Sequence, residues 1–216
     1  MTNGSTTHFV RNVVAAAGLA AAVVSAVGAA DPPLATAMAQ GRGPGSADST
    51  AWRQLEASHW IADGRDGARV VYVFTDPNCP YCNKLWSDAR PWVAAGQIQL
   101  RHVIVGILTP TSPGKAAALL ADKDPAAMLA AYEGQNAFTV STALASGKPR
   151  PLADGALKPL ASISPAQQAQ LAANEQLMTS LKLRATPALV WRDEQGHLHV
   201  RQGLPEGGMA TILGPL

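Results

Sequence analysis

Residues 70–86 read VVYVFTDPNCPYCNKLW, and the order of residue types in them sets the fold. Val70 to Phe74 is an unbroken β-prone apolar run, the pattern of a strand buried on both faces. Thr75-Asp76-Pro77-Asn78 makes a turn, and Cys79-Pro80-Tyr81-Cys82 opens the next element. Pro80 suits the first turn of a helix, where its missing N–H costs nothing. Cys82, Leu85, Trp86, Ala89 and Val93 then recur at helical spacing and define an apolar face. Pro91 is expected to kink this helix and Gly96 to end it. Ile98 to Ile107 reads as a second strand, which completes a right-handed βαβ unit.

The chain has 216 residues, 47% hydrophobic and 15% charged, and a net charge of +2 without a long basic run. Such a composition excludes a disordered chain and offers no concentrated positive face for nucleic acid. There are two cysteines, Cys79 and Cys82, so a disulfide-stapled miniature fold and a four-cysteine zinc site are both excluded. Every sulfur nucleophile lies in one Cys-x-x-Cys.

That motif has three readings: a redox pair, part of a metal site, or two inert core thiols. In the domain expected to be exported, His59, His102, His197 and His199 are the remaining histidine ligands, and none has tight spacing to the cysteines. No metal or cofactor is therefore expected. The junction of strand and helix favours the redox reading. A helix N-terminus carries unpaired N–H groups and partial positive charge, which stabilise a thiolate at Cys79. Cys82 lies one turn in and more buried. Cys79 is thus the expected attacking sulfur and Cys82 the resolving one. Stabilising the thiolate favours the reduced form and makes the disulfide more oxidising; each pKa unit is about 1.4 kcal/mol. Pro80 and Tyr81, between the cysteines, are placed to tune the site.

Residues 12–30 carry no charge; His8 and Arg11 precede them, and Ala37-Met38-Ala39 offers a small-x-small cleavage site. Residues 1–39 are read as a secretory signal, with an uncleaved anchor as the alternative. Both export the remainder into an oxidising compartment, most simply a bacterial periplasm. Residues 40–58 are read as linker plus a short helix over 51–58, capped by Ser49 or Thr50, and residues 59–216 as the catalytic domain. Within that domain, helices are expected at about 113–121 and 125–134, loop over 139–163, and a helix from Ser164 to about Leu181. A strand Ala188–Arg192, a strand His197–Gln202 and a last helix from about Pro205 follow. Asp76 is read as solvated in its turn, with tuning of the site as the alternative. Trp60, Trp86 and Trp92 are read as packing residues, with a substrate groove as the alternative; His102 is read as a core or surface histidine, and His197 and His199 as neighbours on one strand face.

The combination FTDPNCPYC, LWSDARPWVAAGQIQLRHVIVGIL, SPGKAAALLADKDPAA, NEQLMTSLKLRATPAL and QGLP resembles the DsbG branch of periplasmic thiol:disulfide interchange proteins over about residues 58–214. The resemblance implies an α/β thioredoxin-like fold, with a helical insertion at about 108–182 between the βαβ unit and a C-terminal ββα unit. It implies Cys79 and Cys82 as the redox pair, and Thr186 beside a cis Pro187 as the substrate-facing loop. It also implies exported cysteine-containing proteins as substrates, reduction by a DsbD-like membrane protein, and activity on disulfides and sulfenylated cysteines. At Val73, six residues before the first cysteine, thioredoxin keeps a buried aspartate. The family's separate dimerisation domain has no room between a signal ending near residues 30–39 and the helix near residue 51, so a monomer is expected. The function expected is a thiol-disulfide oxidoreductase or isomerase. A net oxidant, a chaperone-like peptide holder and a thiolate metal carrier remain as alternatives.

Overall fold

The structure, a computed structural model, describes residues 45–216. The expected signal or anchor over residues 1–39, and the start of the linker, lie outside the described residues. Among the described residues, no helix is long and apolar enough to cross a membrane.

A five-stranded mixed sheet organises the domain, in the order β1-β3-β2-β4-β5. Its strands are β1 (Trp60–Asp63), β2 (Arg69–Thr75), β3 (Ile98–Ile104), β4 (Ala188–Arg192) and β5 (Leu198–Gln202). Only β2 and β3 run parallel; the other neighbours are antiparallel. The apolar run of β2 lies near the middle of the sheet, which is why its residues from Val71 onward are buried whichever face they point to.

Helix α1 (Ser46–Glu56) precedes the sheet, and α2 (Pro80–Asp88) and α3 (Arg90–Ala94) link β2 to β3. Helices α4 (Ser112–Ala121), α5 (Pro125–Ala145) and α6 (Pro165–Ser180) form the insertion, and α7 (Ala210–Leu213) ends the chain. Side chains pointing alternately from β2 meet two different cores. Val71 and Val73 pack under Leu85, Ala89 and Trp92 of the cysteine-bearing segment, with Ile212 and Leu213 of α7. Tyr72 and Phe74 pack on the other face against Leu55 of α1 and Leu177 and Met178 of α6. A third cluster, with Ala116, Leu119, Leu129, Tyr132 and Leu171, holds the insertion helices together beside Ile104.

Several boundaries differ from expectation, each for a physical reason. Pro91 breaks the helix instead of kinking it: α2 ends and α3 starts around Ala89, with the proline in the first turn of α3. The helix expected to start at residue 51 begins at Ser46 after Gly45, so Ser49 and Thr50 lie inside it. Strand β3 stops at Ile104, because the backbone of Ile107 and Leu108 turns to donate to Asp76. Helix α5 runs to Ala145 rather than to residue 134, so the expected loop begins later. Its buried stripe is Leu129, Tyr132, Glu133, Asn136 and Val140, and the polar members hide the apolar period. The last helix starts at Ala210 because Gly207 and Gly208 hold φ of +79° and +85°, outside helical space. Strand β1 was not expected; at four residues it is too short to show an alternation.

Candidate active site

The parallel strands β2 and β3 end on the same side of the sheet, and the loops leaving them build the site. Cys79 is the N-cap of α2, with Pro80 in the first turn. The Cys82 N–H donates to its Sγ at 3.3 Å, an N-cap hydrogen bond in which sulfur takes the place of the usual oxygen. The Cys79 thiol lies 3.5 Å from the carbonyl oxygen of Thr186, within reach for donation. Both cysteines are free thiols and both are almost fully buried.

Their acidities diverge. The hydrogen bond from the Cys82 thiol is the largest influence on Cys79; burial opposes it, and Thr186 and the N–H groups of Cys82 and Tyr81 add to it. The net effect lowers the Cys79 thiol to about 7. Burial, and then the bond to Cys79 and its charge, push the Cys82 thiol well above its ordinary value. One sulfur is a thiolate near neutral pH and its neighbour keeps its proton. Such an arrangement can attack a disulfide through Cys79 and later release the adduct through Cys82.

Thr186-Pro187 is a cis peptide bond, and its loop is tied down from both sides. Gly203 N–H donates to the Pro187 carbonyl at 2.8 Å, and the N–H groups of Arg184 and Ala185 donate to Gln202 Oε1 at 2.7 and 3.1 Å. The structure therefore brings together all six of Cys79, Pro80, Tyr81, Cys82, Thr186 and Pro187. Tyr81 is 43% exposed, and the side chains of Ile107 and Leu108, which leave the end of β3, are also exposed.

Asp76 is not solvated: it is buried and accepts four hydrogen bonds. They come from the N–H groups of Asn78, Ile107 and Leu108, each at 2.8 Å, and from Ser112 Oγ at 2.7 Å. Beside it, Asn78 donates to Thr109, Thr111 and Ser112 and accepts from Lys115 Nζ at 2.8 Å. Lys115 is fully buried on α4; its ammonium also reaches Tyr132 Oη, the Leu152 carbonyl and Asp154. Tyr132 donates onward to the Pro77 carbonyl at 2.7 Å. The turn carrying Cys79 is thus bolted to the insertion by a polar network that sequence reasoning missed. The one signal for it was Lys115 within the otherwise apolar KAAALLA of α4.

A second polar group lies where β1 meets α3 and β3. Asp63 faces Arg90 in a two-point ion pair and His102 Nε2 at 3.5 Å, while His102 Nδ1 meets Thr75 Oγ1 at 3.1 Å. Burial alone would raise the Asp63 carboxyl, but His102 and Arg90 hold it well below the usual carboxylate range. His102 is therefore a core histidine. Trp86 and Trp92 are buried and Trp60 half-buried under Arg101, which accords with packing roles. His197 precedes β5 and His199 lies within it, and both lie near Asp193. Among the described residues, no group of three or more His, Cys, Asp and Glu is placed to hold a metal.

A βαβ unit with a Cys-x-x-Cys at the helix start, facing a cis-proline loop that opens an antiparallel strand, defines the thioredoxin-like class. Residues 62–207 match the thioredoxin-like domain family model, and the chain belongs to that family. Within it, the chain is similar to two curated proteins called thiol:disulfide interchange protein DsbG. It is 47% identical to that of Pseudomonas aeruginosa over 76% of this chain, and 40% identical to that of Escherichia coli over 75%. Each match spans 59% of the relative's length. The fold is shared with the catalytic domain of Proteus mirabilis ScsC, at 18% identity and a TM-score of 0.54, covering 77% of this chain and 93% of that one.

Proposed function

We propose that this protein is a periplasmic thiol-disulfide oxidoreductase that reduces or isomerises disulfides in exported proteins. The observation that carries the reading is the asymmetry of the pair: Cys79 caps α2 with a lowered pKa, while Cys82 behind it is raised. The similarity to two thiol:disulfide interchange proteins supports the same chemistry.

In this mechanism the Cys79 thiolate attacks a substrate disulfide. A Cys79–substrate bond forms and the second substrate sulfur leaves as a thiolate, which takes a proton from solvent. Cys82 then loses its proton and attacks Cys79, which releases the first substrate sulfur and closes the Cys79–Cys82 disulfide. If a second substrate thiol attacks first, the substrate is isomerised and the pair stays reduced. Thr186, at the start of the β4 hairpin, pairs with an extended substrate segment as an added strand would. Tyr81, Ile107 and Leu108 supply exposed apolar contacts around it. A sulfenylated cysteine is resolved by the same attack, with water leaving. A DsbD-like membrane reductant returns the pair to the dithiol.

Trapping tests this directly. A Cys82→Ala variant expressed in its own compartment accumulates mixed disulfides at Cys79, and a Cys79→Ser variant accumulates none. A wild-type pair that stands oxidised in the cell makes the protein a net donor of disulfides instead. Peptide holding that survives Cys79→Ser, with no thiol exchange in the wild type, assigns a chaperone-like role and overturns the proposal; stoichiometric copper or zinc on the reduced protein overturns it in favour of a carrier.

A further inference from the structure

Glu133 is a buried carboxyl that the exchange chemistry above leaves unused. It projects from α5 onto α2, where Asn83 Nδ2 donates both to its carbonyl oxygen at 2.8 Å and to Oε2 at 2.6 Å. Asn83 follows Cys82 directly, and its own N–H donates to the Cys79 carbonyl at 3.2 Å. One residue thus bridges the Cys79 backbone and the Glu133 carboxyl.

Two other carboxyls, the buried Asp76 and the half-buried Asp63, have their partners. Asp76 accepts four hydrogen bonds, and Asp63 faces the Arg90 guanidinium. Glu133 has a single neutral donor among the described residues. Asn83 Oδ1, beside it, is buried without a partner. Glu133 thus has no ion pair among the described residues and adjoins a residue whose amide oxygen lacks a donor, surroundings that favour a proton on the carboxyl.

We infer that Glu133 is a redox-linked proton site, which holds a proton while the cysteine pair is reduced and gives it up when the disulfide forms. The inference rests on the interchange reading, and it makes Glu133 a positioning residue that acts on Cys79 through charge. The reduced pair carries a thiolate at Cys79 and the disulfide carries no charge, so forming the disulfide lowers the affinity of Glu133 for its proton. Burial is the largest influence on Glu133; Asn83 opposes it, the Cys79 charge adds to it, Arg90 opposes and Asp63 adds, with a net rise to about 8. Further off, His102 lies against Asp63, and Lys115 of α4 is spoken for by Asn78 and Asp154.

Exchange with glutathione shows the proton balance. Two glutathione thiols become one glutathione disulfide, and their two electrons break the Cys79–Cys82 bond. Of the two protons released, Cys82 takes one and Glu133 the other, leaving Cys79 as a thiolate. With Glu133→Gln, the second proton goes to solvent. Between pH 7 and pH 8, above the Cys79 pKa and below that of Glu133, the equilibrium constant for reduction then rises with pH in E133Q, approaching tenfold per unit, and stays nearly flat in the wild type.

The test measures that constant from pH 7 to 8 for both proteins, together with carboxyl infrared difference spectra of the wild type reduced by a phosphine at pH 7. A protonated carboxyl band gained on reduction, absent from E133Q, and a divergence of the constants approaching tenfold per unit are expected. The spectrum is decisive even if E133Q does not fold: no band on reduction overturns the inference. Glutathione exchange without the band leaves the interchange reading standing alone. The band without glutathione exchange supports the proton site and removes that reading.

Discussion

Among the groups that meet the Cys79 sulfur are the N–H of Cys82 and the residue Thr186. Hydrogen bonding from the Thr186 side chain favours the thiolate, whereas its carbonyl can only accept from a thiol. Thr186→Val removes the first influence and keeps the second. The Cys79 pKa then rises above about 7, which ultraviolet thiolate absorbance during a pH titration reads directly. Asp76 is the other residue on which this geometry turns. Its four donors are arranged around an anion, and an amide in its place directs N–H groups at some of them. Asp76→Asn is expected to cost on the order of 3 kcal/mol in urea denaturation. It also frees the Ile107–Leu108 backbone, which the residue anchors beside the exposed apolar rim.

The insertion helices do more than cover the sheet. Helix α4 brings Lys115 under the turn before Cys79, and α5 brings Tyr132 and Glu133 to the same end of α2. Lys115→Met removes the charge while leaving Asn78 Oδ1 and the Leu152 carbonyl without their donor. A loss of about 3 kcal/mol is expected, because buried acceptors stripped of a partner bear their full desolvation cost. If Lys115 instead served only as a spacer, the methionine variant would match the wild type in denaturant midpoint. Gly114, its neighbour, shows how closely α4 is seated: a Cβ there would come within 2.9 Å of the Leu160 carbonyl oxygen. The α5 stripe went unread beyond residue 134 because a buried helix face with Glu133 and Asn136 in it looks like a surface face in sequence. Pro91 was legible as a disruption, but whether it kinks or breaks a helix depends on packing around Ala89.

Across the whole domain, the sheet divides the interior into separate cores, and the cysteine helix belongs to the one containing Val71, Val73 and Leu189. Leu85, fully buried there, is expected to cost about 2–5 kcal/mol as Leu85→Ala, measured as a shifted thermal midpoint. The pH dependence of stability follows from the buried Glu133 and the half-buried Asp63. Glu133 has a folded pKa raised to about 8 from an ordinary value of 4.5, so between those values the native state holds a proton that the unfolded chain has lost. Its contribution therefore falls as pH rises through that window, by about 1.4 kcal/mol per pH unit. Asp63 has the opposite sign: its depressed pKa stabilises the fold above the ordinary carboxylate range and is lost on acidification through and below it. Glu133→Gln should raise the thermal midpoint of the reduced protein progressively from pH 5 to pH 8. A constant difference across that range would assign the carboxyl to packing alone.

The strand, the turn, the cysteine helix and the following strand could be read directly from residues 70–107, because strand period, proline placement and helical spacing are properties of neighbours along the chain. The expectation that Cys79 attacks and Cys82 resolves rests on the same neighbours. Only the folded chain decided what surrounds those sulfurs. Thr186 lies 107 residues from Cys79, Lys115 lies 37 from Asn78, and Glu133 lies 50 from Asn83. Contacts at such separations leave no local period. They exist because the insertion and the terminal hairpin close over one end of the sheet, where burial removes water and makes each remaining charge and hydrogen bond count.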